Sequence, residues 1–209
     1  MKDALPQTIY LKDYQVSPFL VDTTDLVFDL GDEQTRVTAN LAVRRNPDSS
    51  DKAAVLELNS KGDVQLQWIA IDGQRLDSSA YSVADNLLRV PNLSDSCVIS
   101  TEVLIQPQLN TSMMGLYRSR TMYCTQCEAE GFRRITYFPD RPDIMSVFTV
   151  KIVADKASYP VLLSNGNAIE RADLDGGRHS VTWHDPFKKP SHLFALVAGT
   201  LSVVEDSFT

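Results

Sequence analysis

Val37-Thr38-Ala39-Asn40-Leu41-Ala42-Val43-Arg44 decides the fold class of this chain, because its side chains sort with a period of two. Val37, Ala39, Leu41 and Val43 share one face, while Thr38, Asn40, Ala42 and Arg44 take the other, as a half-buried strand requires. Residues 24–30 just before it are strand-like, and Gly31-Asp32-Glu33 reads as the hairpin connection. Asn46-Pro47-Asp48-Ser49-Ser50 breaks the pattern, and residues 54–58 and 64–71 resume it. Asp72-Gly73 then reads as a tight turn, since glycine admits the positive φ such turns need. Alternation returns at 97–105, with Cys97, Ile99, Thr101, Val103 and Ile105 on one side, and at Phe148, Val150, Ile152 and Ala154. Shorter strands are predicted at 87–90, 161–163 and 179–183, and a long one at 192–204. The expected fold is all-β and mostly antiparallel.

Helix signals are scarce. Asp140-Arg141-Pro142-Asp143 predicts a turn or two of helix, with Asp140 as cap, Pro142 early and Asp143 three residues on. There is no repeat of solenoid or propeller length and no Gly/Ser/Pro linker. Residues 1–200 therefore read as one domain, and 201–209 as the start of something longer.

Composition narrows the function classes. Of 209 residues 43% are hydrophobic and 22% charged, which suits an ordered chain able to bury a core. Lys and Arg number 20 against 27 Asp and Glu, a net charge of -7. With no basic patch interleaved with aromatics, nucleic acid is excluded as a partner. Met1-Lys2-Asp3-Ala4-Leu5-Pro6 has no apolar core of a secretory signal, and no apolar run is long enough for a membrane span. The longest, 193–199, fits a buried strand. Cys97, Cys124 and Cys127 are an odd set in a chain too large to need disulfides, so a reducing, cytoplasmic setting with free thiols is expected.

Cys124-Thr125-Gln126-Cys127 has the spacing of a zinc or disulfide-exchange pair. A structural zinc needs two further ligands. Cys97 is one possibility, and His179, His184 and His192 are the only imidazoles, with His179 and His184 on opposite faces of one strand. A redox pair would want Pro or Gly between its thiols. Core-lining thiols are the expectation, with metal or redox use as the alternative. No His-Glu-x-x-His, Gly-x-Ser-x-Gly or phosphate-cradling glycine loop occurs. The residues by themselves assign no catalytic and no metal-ligating side chain. Gln126, Glu128 and Glu130 lie just before Gly131-Phe132-Arg133-Arg134. Two acids so close could hold a cation or a substrate ammonium, or could form a solvated loop paired to Arg133 and Arg134.

The run Gly115-Leu116-Tyr117, the stretch from Cys124-Thr125-Gln126-Cys127-Glu128-Ala129-Glu130-Gly131-Phe132-Arg133-Arg134 to Ile135-Thr136-Tyr137, and Asp140-Arg141-Pro142-Asp143 closely resemble the bacterial aminopeptidase N family of zinc metallopeptidases. The resemblance continues through Leu163-Ser164-Asn165-Gly166-Asn167, Asp185-Pro186-Phe187 and 193–199 and covers nearly the whole chain; 56–109 is less characteristic. It implies a saddle-like β sandwich seated on a thermolysin-like catalytic domain, which supplies the zinc cofactor. It implies that Glu128 helps hold the free α-ammonium of a peptide substrate and that Gln126 lines the pocket for the first side chain, with Glu130 structural. The implied partners are the chain's own catalytic domain and peptides with a free N-terminus, and the fragment alone is expected to bind no catalytic zinc and cleave nothing. Two other readings stand beside it: a leukotriene hydrolase-like parent, and a non-enzymatic β-sandwich interaction module.

Overall fold

The computed structural model describes residues 8, 10–51 and 53–208; the reading of residues 1–6 lies outside them. In chain order the strands are β1 (Phe19–Asp29), β2 (Thr35–Arg45), β3 (Leu56–Asn59), β4 (Gln65–Ile71), β5 (Gln74–Arg75), β6 (Ser82–Ala84), β7 (Leu87–Val90) and β8 (Ser96–Ile105). They continue with β9 (Gly115–Ser119), β10 (Met122–Gln126), β11 (Met145–Asp155), β12 (Val161–Ser164), β13 (Asn167–Leu174), β14 (Arg178–Pro190) and β15 (Leu196–Gly199). Eight form one sheet in the order β13-β14-β11-β1-β2-β8-β4-β5. Two small sheets, β12-β15-β10-β9 and β3-β7-β6, contribute to the same core. Among the described residues only β1 and β11 pair in parallel, and they join the two halves of the large sheet. The fold is all-β and mostly antiparallel, as expected.

The period-two reading of β2 holds: Val37, Ala39, Leu41 and Val43 are buried, and the alternate residues are only partly so. β1 begins at Phe19 rather than at 24, because an extra residue between Val21 and Thr23 bulges the strand. Burial passes there from Phe19 and Val21 to Thr24, Leu26 and Phe28, so a simple alternation breaks where the strand does not. Asp72 (φ 47) and Gly73 (φ 80) form the expected turn.

Three expectations are corrected. Asp140 caps no helix: its buried carboxylate is turned to Arg133 and the Ser191 hydroxyl, and the chain beyond it makes only a single turn closed by Ile144 N–H on Arg141 O at 3.2 Å. The strand at 179–183 runs on to Pro190, because Pro186, Phe187 and Lys188 bulge out opposite Val147 and the ladder resumes at Lys189. The strand at 192–204 shrinks to β15. Ser191–Leu193 is a single 3-10 turn, and the ladder partners Tyr123 and Val161 run out at Ala198 and Gly199. The hairpin β9–β10 and strand β13 carry too little alternation to be read, and β13 is almost wholly exposed.

Candidate functional site

The end of β10 and the connection from it to β11 carry Gln126, Glu128 and Glu130. β10 ends at Gln126, paired with Gly115 of β9. Cys127 turns into the core, 2% exposed, while Gln126 and Glu128 on either side are exposed. The chain then closes tightly, with Gly131 N–H donating to Cys127 O at 2.7 Å. A Cβ at Gly131 would lie 2.3 Å from Gln126 O and 3.0 Å from Gly115 N, so the turn fits against the hairpin only because residue 131 has no side chain.

Phe132 fixes the far end of this turn. Fully buried, it meets Phe138, Phe148 and Phe194 edge-on at 5.0, 6.0 and 5.2 Å. Next to it, Arg133 is held by Asp140: its N–H and Nε donate to the carboxylate at 3.2 and 2.9 Å, and its Nη2 donates to the Asp140 carbonyl at 2.8 Å. Asn59 of β3 exchanges backbone bonds with Phe138 and accepts the Asp140 N–H on its side-chain oxygen at 3.1 Å. The loop is therefore pinned at a glycine contact, an aromatic plug and a buried ion pair.

The two glutamates separate in this frame. Glu130 pairs with Arg133 at 3.3 Å, which is the solvated-loop arrangement. The Glu128 carboxylate forms no ion pair and accepts no hydrogen bond among the described residues; only its backbone carbonyl is engaged, by Gln126 Nε2 at 3.4 Å. Arg134 does not join Glu128 or Glu130 and turns towards Gly62.

Cys97 and Cys127 lie in the core, and Cys124 is half-buried. All are free, and burial pushes the thiols of Cys97, Cys124 and Cys127 up, Cys127 most. His179 Nε2 lies 2.8 Å from Tyr159 O, and His184 Nδ1 lies 3.2 Å from Thr149 Oγ1. Among the described residues no group of three or more His, Cys, Asp or Glu is placed to hold a metal ion. Sequence reasoning missed the Gly115–Gly131 contact and the Asp140 clamp. The glycines gave a signal, two in the most characteristic stretch, but no local rule pairs them.

These features define a β domain that presents Gln126 and Glu128 from a braced loop and, among the described residues, places no cluster to hold a metal ion. Residues 22–193 match the Peptidase M1 N-terminal domain. The chain belongs to that family. It is 50% identical over its whole length to aminopeptidase N of Caulobacter vibrioides, covering 24% of that protein, and 45% identical over 98% of its length to aminopeptidase N of Escherichia coli, covering 23%. It thus spans about a quarter of these relatives. Among solved structures, Legionella pneumophila aminopeptidase A in complex with aspartic acid superposes with a TM-score of 0.88 at 35% identity, over 92% of this chain and 22% of that one.

Proposed function

We propose that this domain is the N-terminal part of a zinc-dependent aminopeptidase that releases N-terminal residues from peptides. In this reading Glu128 holds the substrate's free α-ammonium and Gln126 lines the pocket for its first side chain. The observation that carries it is the uncommitted Glu128 carboxylate on a loop otherwise locked in place. An exopeptidase must reward a free amine, and a carboxylate shielded from water interacts with an ammonium far more strongly than one in bulk. Fixing the amine also fixes the first peptide bond relative to the reacting centre.

Zinc does not fit the residues described, so the parent's remaining segment would hold it. That segment is the expected partner of the surface near Glu128. Exposed Met113 lies two residues before Gly115, and exposed Leu193 precedes the Leu196 N–H that Thr125 Oγ1 binds at 2.8 Å, so apolar side chains flank the site. In this reading residues 1–200 form the N-terminal domain of a cytoplasmic enzyme.

Glu128→Gln in the parent enzyme tests the reading. Glutamine keeps the size and an acceptor oxygen but removes the charge. Truncating one member of a buried charge pair costs roughly 2–5 kcal/mol, and about 1.4 kcal/mol is one factor of ten in rate. The expected fall in kcat/KM for an alanyl anilide is on the order of 30-fold to a few thousand-fold at equal zinc content. Glu130→Gln is the control. A Glu128→Gln enzyme within about twofold of the parent, or a more damaged Glu130→Gln enzyme, sinks the assignment.

A further inference from the structure

A second charged site borders β9 at Leu116. The loop after β3 and the loop between β8 and β9 enclose a cavity of about 190 Å3 whose lining includes Lys61, Gly62, Asp63, Thr111, Ser112 and Arg134. Neither Lys61 nor Arg134 forms an ion pair among the described residues. A larger cavity nearby, about 350 Å3, is lined by Glu57, Glu130, Arg133, Asp140 and Arg141, and all of these are paired: Glu57 with Arg89, Arg133 with Glu130 and Asp140, Arg141 with Asp143. The exposed cavity by β13 and β14 also holds an unpaired Arg171, but beside a Lys156 already paired with Asp173. Two unpaired cations among the described residues share the first cavity, in a chain whose net charge is -7.

The walls of this cavity are built. Arg134 threads between two glycines of positive φ: a Cβ on Gly115 would lie 2.7 Å from Arg134 Cβ, and one on Gly62 would lie 3.2 Å from its Nη1. Lys61 N–H donates to Arg133 O at 2.9 Å, tying the loop after β3 to the turn that carries Arg134. Opposite, Asn110 donates to the carbonyls of Met114 and Leu116 at 2.8 and 2.9 Å and accepts from the N–H and hydroxyl of Ser112 at 3.1 and 2.6 Å. Two cations lining one small cavity repel each other, and a shared counter-ion relieves that repulsion. A guanidinium fork beside an ammonium suits the oxygens of a carboxylate or phosphate.

We propose that this cavity binds a small oxyanion, a carboxylate or a phosphate, between Lys61 and Arg134. Asp63 lines the same cavity and opposes the anion, so it weakens binding and selects against simple charge accumulation.

The test is thermal unfolding of the 209-residue chain in sodium phosphate, in sodium acetate and in sodium chloride at matched ionic strength. A ligand of the folded state alone raises Tm, here by about 3–6 °C at roughly tenfold excess over Kd. Phosphate or acetate should give that rise and chloride should not. A response to phosphate alone identifies a dianion site, and a response to acetate a carboxylate site. Lys61→Gln, at an exposed side chain, and Arg134→Gln should each abolish the shift. Asp63→Asn should tighten Kd, read by calorimetry, several-fold. An equal rise in chloride, no rise in any salt, or a rise that survives Lys61→Gln overturns the proposal.

Discussion

Asp140 and Glu128 belong to one connection, between β10 and β11, and their carboxylates do opposite things. The Asp140 side chain is 1% exposed and is met by Arg133 and Ser191. Glu128 stands exposed, its carboxylate unengaged among the described residues. The buried acid holds the loop's shape, and that shape lets the exposed acid be displayed in one place without a local partner neutralising it. Charge is thus spent at one end of the loop and kept in reserve at the other.

The sharpest way to break that contrast is to empty the clamp. Asp140→Ala leaves Arg133, a largely buried cation, with only the exposed Glu130 carboxylate for a partner, and deprives the Ser191 hydroxyl and the Arg133 N–H of their acceptor. Removing one partner of a buried pair costs about 3–5 kcal/mol, a large part of an ordinary domain's stability. The urea midpoint should fall accordingly. Asp140→Asn, which keeps an acceptor oxygen, should recover part of the loss. A midpoint unchanged in Asp140→Ala would mean that the glycine contact and aromatic plug hold the loop by themselves.

Gly131→Ala sharpens the same comparison from the Glu128 end. The added methyl meets Gln126 O at 2.3 Å and Cys127 Cα at 2.8 Å, both backbone atoms, so the turn has to move away from the hairpin. Overpacking of this kind costs roughly 1–3 kcal/mol. Because Gln126 and Glu128 ride on the displaced segment, the parent enzyme carrying Gly131→Ala should lose kcat/KM beyond what its modest destabilisation explains. Full activity at a lowered midpoint would show that the position of Glu128 does not depend on this contact.

How much of this was legible in the sequence follows from range. β2, β8 and β11 each bury one face, so period two appears directly in Val37 to Val43, Cys97 to Ile105 and Phe148 to Ala154. β1 and β14 were cut short because bulges at Asp22 and at 186–188 shift the register, and no local pattern announces an extra residue. Asp140 resembled a helix cap because Asp, Pro and Asp at that spacing satisfy a local rule. Its true partners, Arg133 and Ser191, are seven and 51 residues away, and only the fold brings Ser191 to it. Glu128 and Glu130 look equivalent in sequence, and the difference between them is one ion pair of 3.3 Å.

The smallest expected effect concerns the thiol between the two displayed side chains. Cys127 faces the core while Gln126 and Glu128 face out, and burial raises its folded-state pKa above the unfolded value near 8.5. The neutral thiol is therefore favoured by folding. Below the unfolded value both states keep the proton and stability is independent of this group. Above it the unfolded chain ionises first, binds fewer protons than the folded one, and stability falls as pH rises. The loss attributable to one such group is about 0.8 kcal/mol at pH ~9 and steepens towards about 1.4 kcal/mol per pH unit beyond. Cys97 and Cys124 shift in the same direction, and Tyr123, raised to about 12, joins at higher pH. Urea unfolding at matched ionic strength between pH ~7 and ~9.5 reads the slope, and Cys127→Ala isolates the share of this thiol. That variant should start less stable at neutral pH, through the lost packing, and then decline less steeply than the parent chain. Parallel declines would place Cys127 in contact with solvent often enough to ionise in the folded state, and the loop that separates an inward thiol from an outward carboxylate would then be looser than its three anchors require.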